Sequence, residues 1–323
     1  MTKLINKVFR ITYRGENIDI SANIRQTEGD LILFLHGMGC NKESFNNAFR
    51  VRALRSYSIC AFDFPGHGAS SRLPGALYSL QTFADITNKV IQGLAFGRIY
   101  MVGHSMGGAV GIIASQARNR IEYLVSADGN LVAEDCSLAS RKIADQPSMT
   151  FINEGFGQFL KLLQGSSRRD YIAWFNWCRN ADPQALHQAA RSLVEWSDSG
   201  RLLELFNSLT RKAYLYGDQD DKEYVLPQIA AATISAIPSA GHFMMIDNPR
   251  SFYQELAGVL TRQLRVTASP HQITSYETGG DSTSSVICSL VISVGTEARA
   301  TASRNSRVLT RPTRPSVVGS IPI

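Results

Sequence analysis

Cysteine is scarce and unpatterned: Cys40, Cys60, Cys136, Cys178 and Cys288 are odd in number and far apart. No C-x-x-C pair occurs, so a disulfide framework is excluded and a reducing, cytoplasmic setting is expected. No run of about 18 apolar residues is present, which excludes a recognisable membrane-spanning helix. The first ten residues alternate charged and apolar side chains and lack the apolar stretch of a signal peptide. No Lys/Arg run interleaved with aromatics occurs, and 33 Lys+Arg against 27 Asp+Glu leave a net charge of only +6, so no nucleic-acid partner is expected. With neither H-E-x-x-H nor a Cys/His cluster, the sequence gives no reason to expect a metal or another cofactor.

What is present is an ordinary globular composition, 44% hydrophobic and 19% charged over 323 residues, enough chain for a large core. Residues 31–35, 58–62, 99–102 and 123–126 are short, nearly continuous apolar runs, the pattern of parallel strands buried on both faces. Helix-length stretches at 44–55, 80–96 and 106–119 lie between them. This alternation predicts an α/β fold with a doubly wound, mostly parallel sheet. Residues 7–13 and 18–24 predict an antiparallel edge hairpin.

The alternation stops at Gly129, and 129–208 reads as helices only, with clear segments at 170–178 and 183–196. Strand patterns resume at 213–216 and 233–237, before a last helix from Pro249 to about residue 264. The expected organisation is therefore a core of 1–128 and 209–265, an inserted helical lid of 129–208, and a tail. Residues 266–323 are rich in Ser, Thr and Arg and read as a disordered tail carrying one apolar island at 285–294.

Gly103-His104-Ser105-Met106-Gly107 follows a strand and opens a helix. In that setting G-x-S-x-G places a serine on a sharp turn with small residues on either side. Leu35-His36-Gly37-Met38-Gly39 ends the strand 31–35, where a turn can aim backbone N–H groups at a developing oxyanion. Met38 and Met106 are the expected donors. Asp63-Phe64-Pro65-Gly66-His67-Gly68-Ala69-Ser70 is a turn to which no chemistry is assigned, and His36 and His67 read as structural. His242, in Ala240-Gly241-His242-Phe243, lies on a loop beyond the last strand, downstream of the serine, where a base could reach it.

Together these segments resemble the α/β-hydrolase family, in its lid-bearing branch of small serine esterases and haloperoxidase-like hydrolases. The resemblance covers about residues 7–264 through H-G-x-G, D-x-P-G-H-G-x-S, G-H-S-M-G-G and G-H-F with a later N-P. It implies a serine nucleophile at Ser105, a histidine base at His242 and an acid that orients it. The family's usual position for that acid, the end of G-x-x-D, is Asp220 here, although the proline expected soon afterwards is missing. Asp128, in Ala127-Asp128-Gly129-Asn130, is the other candidate. Asp220 is the preferred partner, with Asp218 and Asp221 solvated. Of the lid aromatics Tyr171, Trp174, Phe175 and Trp177, the last three are candidates for the substrate pocket. The expected activity is hydrolysis of a small, partly apolar carboxylic ester or related acyl compound through an acyl-enzyme. A ligand receptor on the same fold, an acyltransferase and a C–C hydrolase remain the alternatives.

Overall fold

The computed structural model describes residues 4–73, 78–117 and 120–267. Residues 268–323, with Cys288 and the 285–294 island, lie outside them, while 266 and 267 of the expected tail still belong to the last helix. Eight strands form one sheet: β1 (Ile5–Tyr13), β2 (Glu16–Arg25), β3 (Leu31–Leu35), β4 (Ser58–Phe62), β5 (Ile99–His104), β6 (Ile121–Ala127), β7 (Lys212–Gly217) and β8 (Thr233–Ile237). Their spatial order is β1-β2-β4-β3-β5-β6-β7-β8. β1 and β2 pair antiparallel and β2 meets β4 antiparallel, whereas every later pairing is parallel. β3, β4 and β5 are buried along their whole length, which is why they read as unbroken apolar runs.

The edge hairpin turns more tightly than 7–13 and 18–24 suggested. Arg14 (φ 51) and Gly15 (φ 85) alone form the turn, and two consecutive positive-φ residues match the right-handed twist of the flanking strands. The expected helix at 44–55 is two 3-10 stretches, Lys42–Phe49 and Arg52–Leu54. Regular helix fails there because Phe45 leaves helical geometry (φ −107, ψ 17) and the Asn41 side chain accepts from Glu43 N–H.

Two helices flank the central strands, α1 (Leu80–Gln92) and α2 (Met106–Ala114). Both end earlier than the sequence suggested: Gly93 caps α1, and Ser115 turns its hydroxyl back onto the Gly111 carbonyl at 2.7 Å. The insertion is helical as expected: α3 (Ser140–Ala144), α4 (Ser148–Thr150), a π-turn at Phe151–Gly155, α5 (Phe156–Gln164), α6 (Arg169–Cys178), α7 (Pro183–Asp198) and α8 (Arg201–Ser208). It is tied down by polar bonds, among them Tyr78 N to Gln188 Oε1 (2.8 Å), Leu80 N to Ser192 Oγ (3.1 Å) and Asp182 N to Gly66 O (2.7 Å). α9 (Met244–Asp247) and α10 (Pro249–Thr267) complete the described chain. Among the described residues no helix is long and apolar enough to cross a membrane, and Cys40, Cys60, Cys136 and Cys178 are buried free thiols.

The parallel register brings the ends of β3, β5, β6 and β7 to one edge of the sheet. In open α/β sheets that edge is where ligands bind.

Candidate active site

Ser105 stands between β5 and α2 at φ 52, ψ −123, a conformation L residues rarely adopt. Its backbone is held on both sides: Ser105 N–H donates to Ala127 O (3.1 Å), and Ser105 O accepts from Gly108 N–H (2.8 Å). The turn closes so tightly that a Cβ on Gly103 would lie 2.2 Å from the Gly107 carbonyl oxygen. Backbone cannot yield there as a side chain would. Gly103→Ala is therefore expected to cost about 3 kcal/mol or more, measured by denaturant unfolding.

The loop after β3 passes beside the serine, since a Cβ on Gly37 would come 3.2 Å from Ser105 Cβ. Met38 follows directly and lines the cavity, and its carbonyl accepts from Trp174 Nε1 at 3.0 Å. Met106 opens α2, where the first N–H groups lack intrahelical acceptors. His36 is a wall of this loop: its Nε2 accepts from Phe64 N–H (2.9 Å), so its Nδ1–H donates to Gly37 O (2.8 Å). Burial holds its pKa well below the ordinary histidine value. His67 is likewise buried, with Nδ1 3.1 Å from Pro65 O.

The turn at 63–70 is a clamp on the same loop. Buried Asp63 accepts from Lys42 N–H (2.7 Å), Lys42 Nζ (2.6 Å) and Ala69 N–H (2.8 Å). Breaking such a buried pair is strongly destabilising because the remaining charge has no partner.

His242 sits on the loop before α9, with Gly241 N–H bound to Asp247 Oδ2 (3.0 Å). His104, the variable residue of the serine motif, holds this loop from below: its Nε2 donates to His242 O at 2.9 Å. Burial, with His242 nearby, lowers the His104 pKa to about 3, so that ring remains neutral. Nothing in the spacing pointed to His104 as a support, because the motif leaves its identity open.

The expected pairing of His242 with Asp220 is corrected by the geometry. His242 Nδ1 lies 2.7 Å from Oδ2 of Asp128. Asp128 follows directly after β6 at φ 49, its N–H bound to Leu215 O at 2.7 Å, and this sharp turn aims its carboxylate at the imidazole. Burial opposes its charge, but Lys222 and His242 outweigh burial and hold its pKa far below the carboxylate range. Lys222 Nζ is 2.6 Å from Asp128 Oδ1, and Tyr214 OH is 3.3 Å from the same oxygen.

Asp220 stands close by as a carboxyl raised to about 6, through burial first and then the Asp128 charge. Asp218 and Asp221 are exposed, as the sequence suggested. Because the folded pKa of Asp220 exceeds the unfolded value, the native state binds more protons between about pH 4 and 6, so this group's contribution to stability declines as pH rises through that window. Asp220→Asn is accordingly expected to raise the melting temperature at pH 8 and leave it nearly unchanged at pH 4.

Ligand atoms of Asp128, Asp220 and His242 lie within 4.8 Å of one another, a spacing a metal could use. They do not fit one, since the Lys222 ammonium already occupies one oxygen of Asp128 and His242 the other. A divalent cation would have to displace a buried ammonium.

These groups open onto a cavity of about 360 Å³. Ser105, His242, Met38, Trp174, Phe243, Leu138 and Leu193 are among its lining residues, within the size and chemistry of small-molecule sites. Of the three aromatic candidates only Trp174 belongs to the lining. Its indole turns inward to Met38, whereas Phe175 is packed half-buried on the core and Trp177 against Phe243 at 6.4 Å. Phe175 points about 100° away from Trp174 around the helix, so those two cannot share one wall.

Comparison with known proteins agrees with this architecture. A match to the Alpha/beta hydrolase family covers residues 32–255. A serine hydrolase-like protein of Danio rerio is 24% identical over 73% of each chain. Matches to a Mycoplasma pneumoniae putative esterase/lipase 2 (33% identity over 29% of this chain) and a human serine hydrolase-like protein (40% over 26%) are local, spanning 35% and 41% of those relatives. Among solved structures, an esterase of Thermogutta terrifontis superposes with TM-score 0.64 at 19% identity, covering 81% of this chain and 99% of that one. An N-acyl homoserine lactonase gives the same score and coverage at 17% identity. With 32–255 spanning well over half its length, the chain is an alpha/beta hydrolase, a member of that family.

Proposed function

We propose that the chain is a serine hydrolase that cleaves a carboxylic ester or related acyl bond of a small, partly apolar substrate. The observation that carries this reading is the His242 Nδ1–Asp128 Oδ2 bond of 2.7 Å, on the wall of the cavity that also exposes Ser105. In the proposed cycle His242 Nε2 takes the Ser105 proton as Oγ attacks the acyl carbon. Asp128 holds the tautomer and stabilises the imidazolium. The Met38 and Met106 N–H groups receive the oxyanion, a contribution of roughly 3–4 kcal/mol for each good donor. Collapse expels the alcohol, protonated by His242, and water attacks the acyl-enzyme by the reverse proton path.

The lining also supports a charge preference. Besides Asp128 it includes Glu134, Asp135, Asp220 and Asp221, and its lysine, Lys222, is committed to Asp128, Asp135 and Tyr224. A substrate carboxylate therefore meets acids and no available ammonium among the described lining residues. A neutral butyryl aryl ester is expected to exceed its hemisuccinyl counterpart by about tenfold or more in kcat/KM, a difference of roughly 1.4 kcal/mol. Equal rates would remove the charge preference.

Fluorophosphonate labelling together with turnover of short-chain aryl esters tests the function itself. Labelling at Ser105 with turnover is expected. Labelling without turnover of any acyl substrate would favour a binding protein on this fold.

A further inference from the structure

Lys222 is an unusual neighbour for an orienting acid. It sits five residues beyond the end of β7 with its side chain only 9% exposed, a burial that lysine tolerates only when paired. Its ammonium has three partners: Asp128 Oδ1 (2.6 Å), Tyr224 OH (3.2 Å) and Asp135 Oδ1 (3.4 Å). Tyr224 OH in turn donates to Asp135 Oδ1 at 2.6 Å. The other oxygen of Asp135 accepts the N–H groups of Leu131 (2.8 Å) and Val132 (3.1 Å), at the first turn of the lid. A continuous polar chain thus runs from the lid entry through Asp135 and Lys222 to Asp128 and His242.

We infer that Lys222 is a positioning residue of the reaction, a buried clamp that holds Asp128 toward the imidazole and joins that acid to the lid entry. This rests on the reading of Ser105, His242 and Asp128 as the reacting set. Two bonds at right distance on one oxygen leave Asp128 little freedom to rotate, so Oδ2 is presented to Nδ1. The charge matters as well. Without the ammonium, Asp128 and Asp135 lose the cation they share, and the negative charge of Asp128 acts on the imidazole without a competing counter-ion. Burial opposes the charge on Lys222 itself, but Asp128, with Asp135, outweighs it and keeps the ammonium protonated.

The groups facing His242 can be named. Asp128 contacts it directly, Asp220 adjoins from the β7 loop, and His104 lies beneath at a ring distance of 4.8 Å. Arg168, at the N-cap of α6, and Asp170 in its first turn pair with each other at 2.6 Å and lie near Asp247. Lys222 is the cation that shares the Asp128 carboxylate with the imidazole. Taking it away favours imidazolium, and the acid limb of the kcat/KM profile moves to higher pH.

Lys222→Met and Lys222→Gln in the full chain test this on an aryl ester. The glutamine keeps a neutral donor and a similar length, so it carries the test should the methionine variant fail to fold. The expected result for each is an acid limb displaced upward by about one unit, with kcat lowered by about tenfold and KM changed by less than about threefold. Tyr224→Phe, which leaves the ammonium in place, should not move the limb. Profiles of Lys222→Gln that superimpose on the wild type, or a change confined to KM, would overturn the inference. That result is distinct from failure of the underlying function, which would instead show as turnover surviving loss of Ser105.

Discussion

Replacing Ser105 by alanine is expected to reduce aryl-ester turnover by roughly four to six orders of magnitude, because its Oγ is the attacking atom of the proposed cycle. The fold should survive, since alanine occupies the same backbone conformation and the bonds at Ser105 N and O are main-chain. Ser105→Gly adds a sharper test. At φ 52, ψ −123 the serine stores conformational energy of order 1 kcal/mol or more. Glycine adopts this region without that cost. The glycine variant should therefore be inactive yet more stable than the wild type, by about 1 kcal/mol in denaturant unfolding. An active alanine variant would remove Ser105 as nucleophile, and a destabilised glycine variant would show that the elbow is not strained.

The second large effect concerns the acid. Asp128→Asn should lower kcat by about 10⁴, because an amide of the same shape can donate to Nδ1 and so favour the wrong tautomer. Asparagine tolerates the positive φ of position 128, so loss of activity will not merely report a distorted strand end. Asp220→Asn, by contrast, should cost less than about tenfold, since its carboxyl is not the one bonded to His242. A nearly inactive Asp220→Asn with a working Asp128→Asn would return the role to Asp220. The two substitutions also differ in stability: removing the Asp128 charge takes from buried Lys222 the nearer of its two carboxylate partners, whereas removing Asp220 relieves a carboxyl that burial and Asp128 disfavour.

The structural histidines illustrate a subtler division. His36 reads as structural from its place before a turn, and its two ring bonds to Phe64 and Gly37 agree. His104 could not be read this way, because its partner, the carbonyl of His242, is 138 residues distant. Asp63 was likewise opaque in its turn. Only the approach of the loop after β3 makes it the counter-charge of Lys42.

The sequence by itself determined the sheet and the two short-range motifs, for a common physical reason. Strands buried on both faces must be apolar runs, and a serine on a strand-to-helix elbow needs small residues where the backbones meet, as at Gly103 and Gly107. These are local requirements written in neighbouring residues. Two things waited for the tertiary structure: which acid meets His242 and which aromatic of the insertion turns inward. Asp128 and Asp220 both follow strand ends, so the residues around them leave the choice open. Their roles follow from the direction in which each turn throws its side chain. That direction is set by the register of β6 against β7, with Ala127 opposite Leu215, and by the positive φ of Asp128 that follows. Register and packing are relations between distant segments, so no single stretch of sequence contains them.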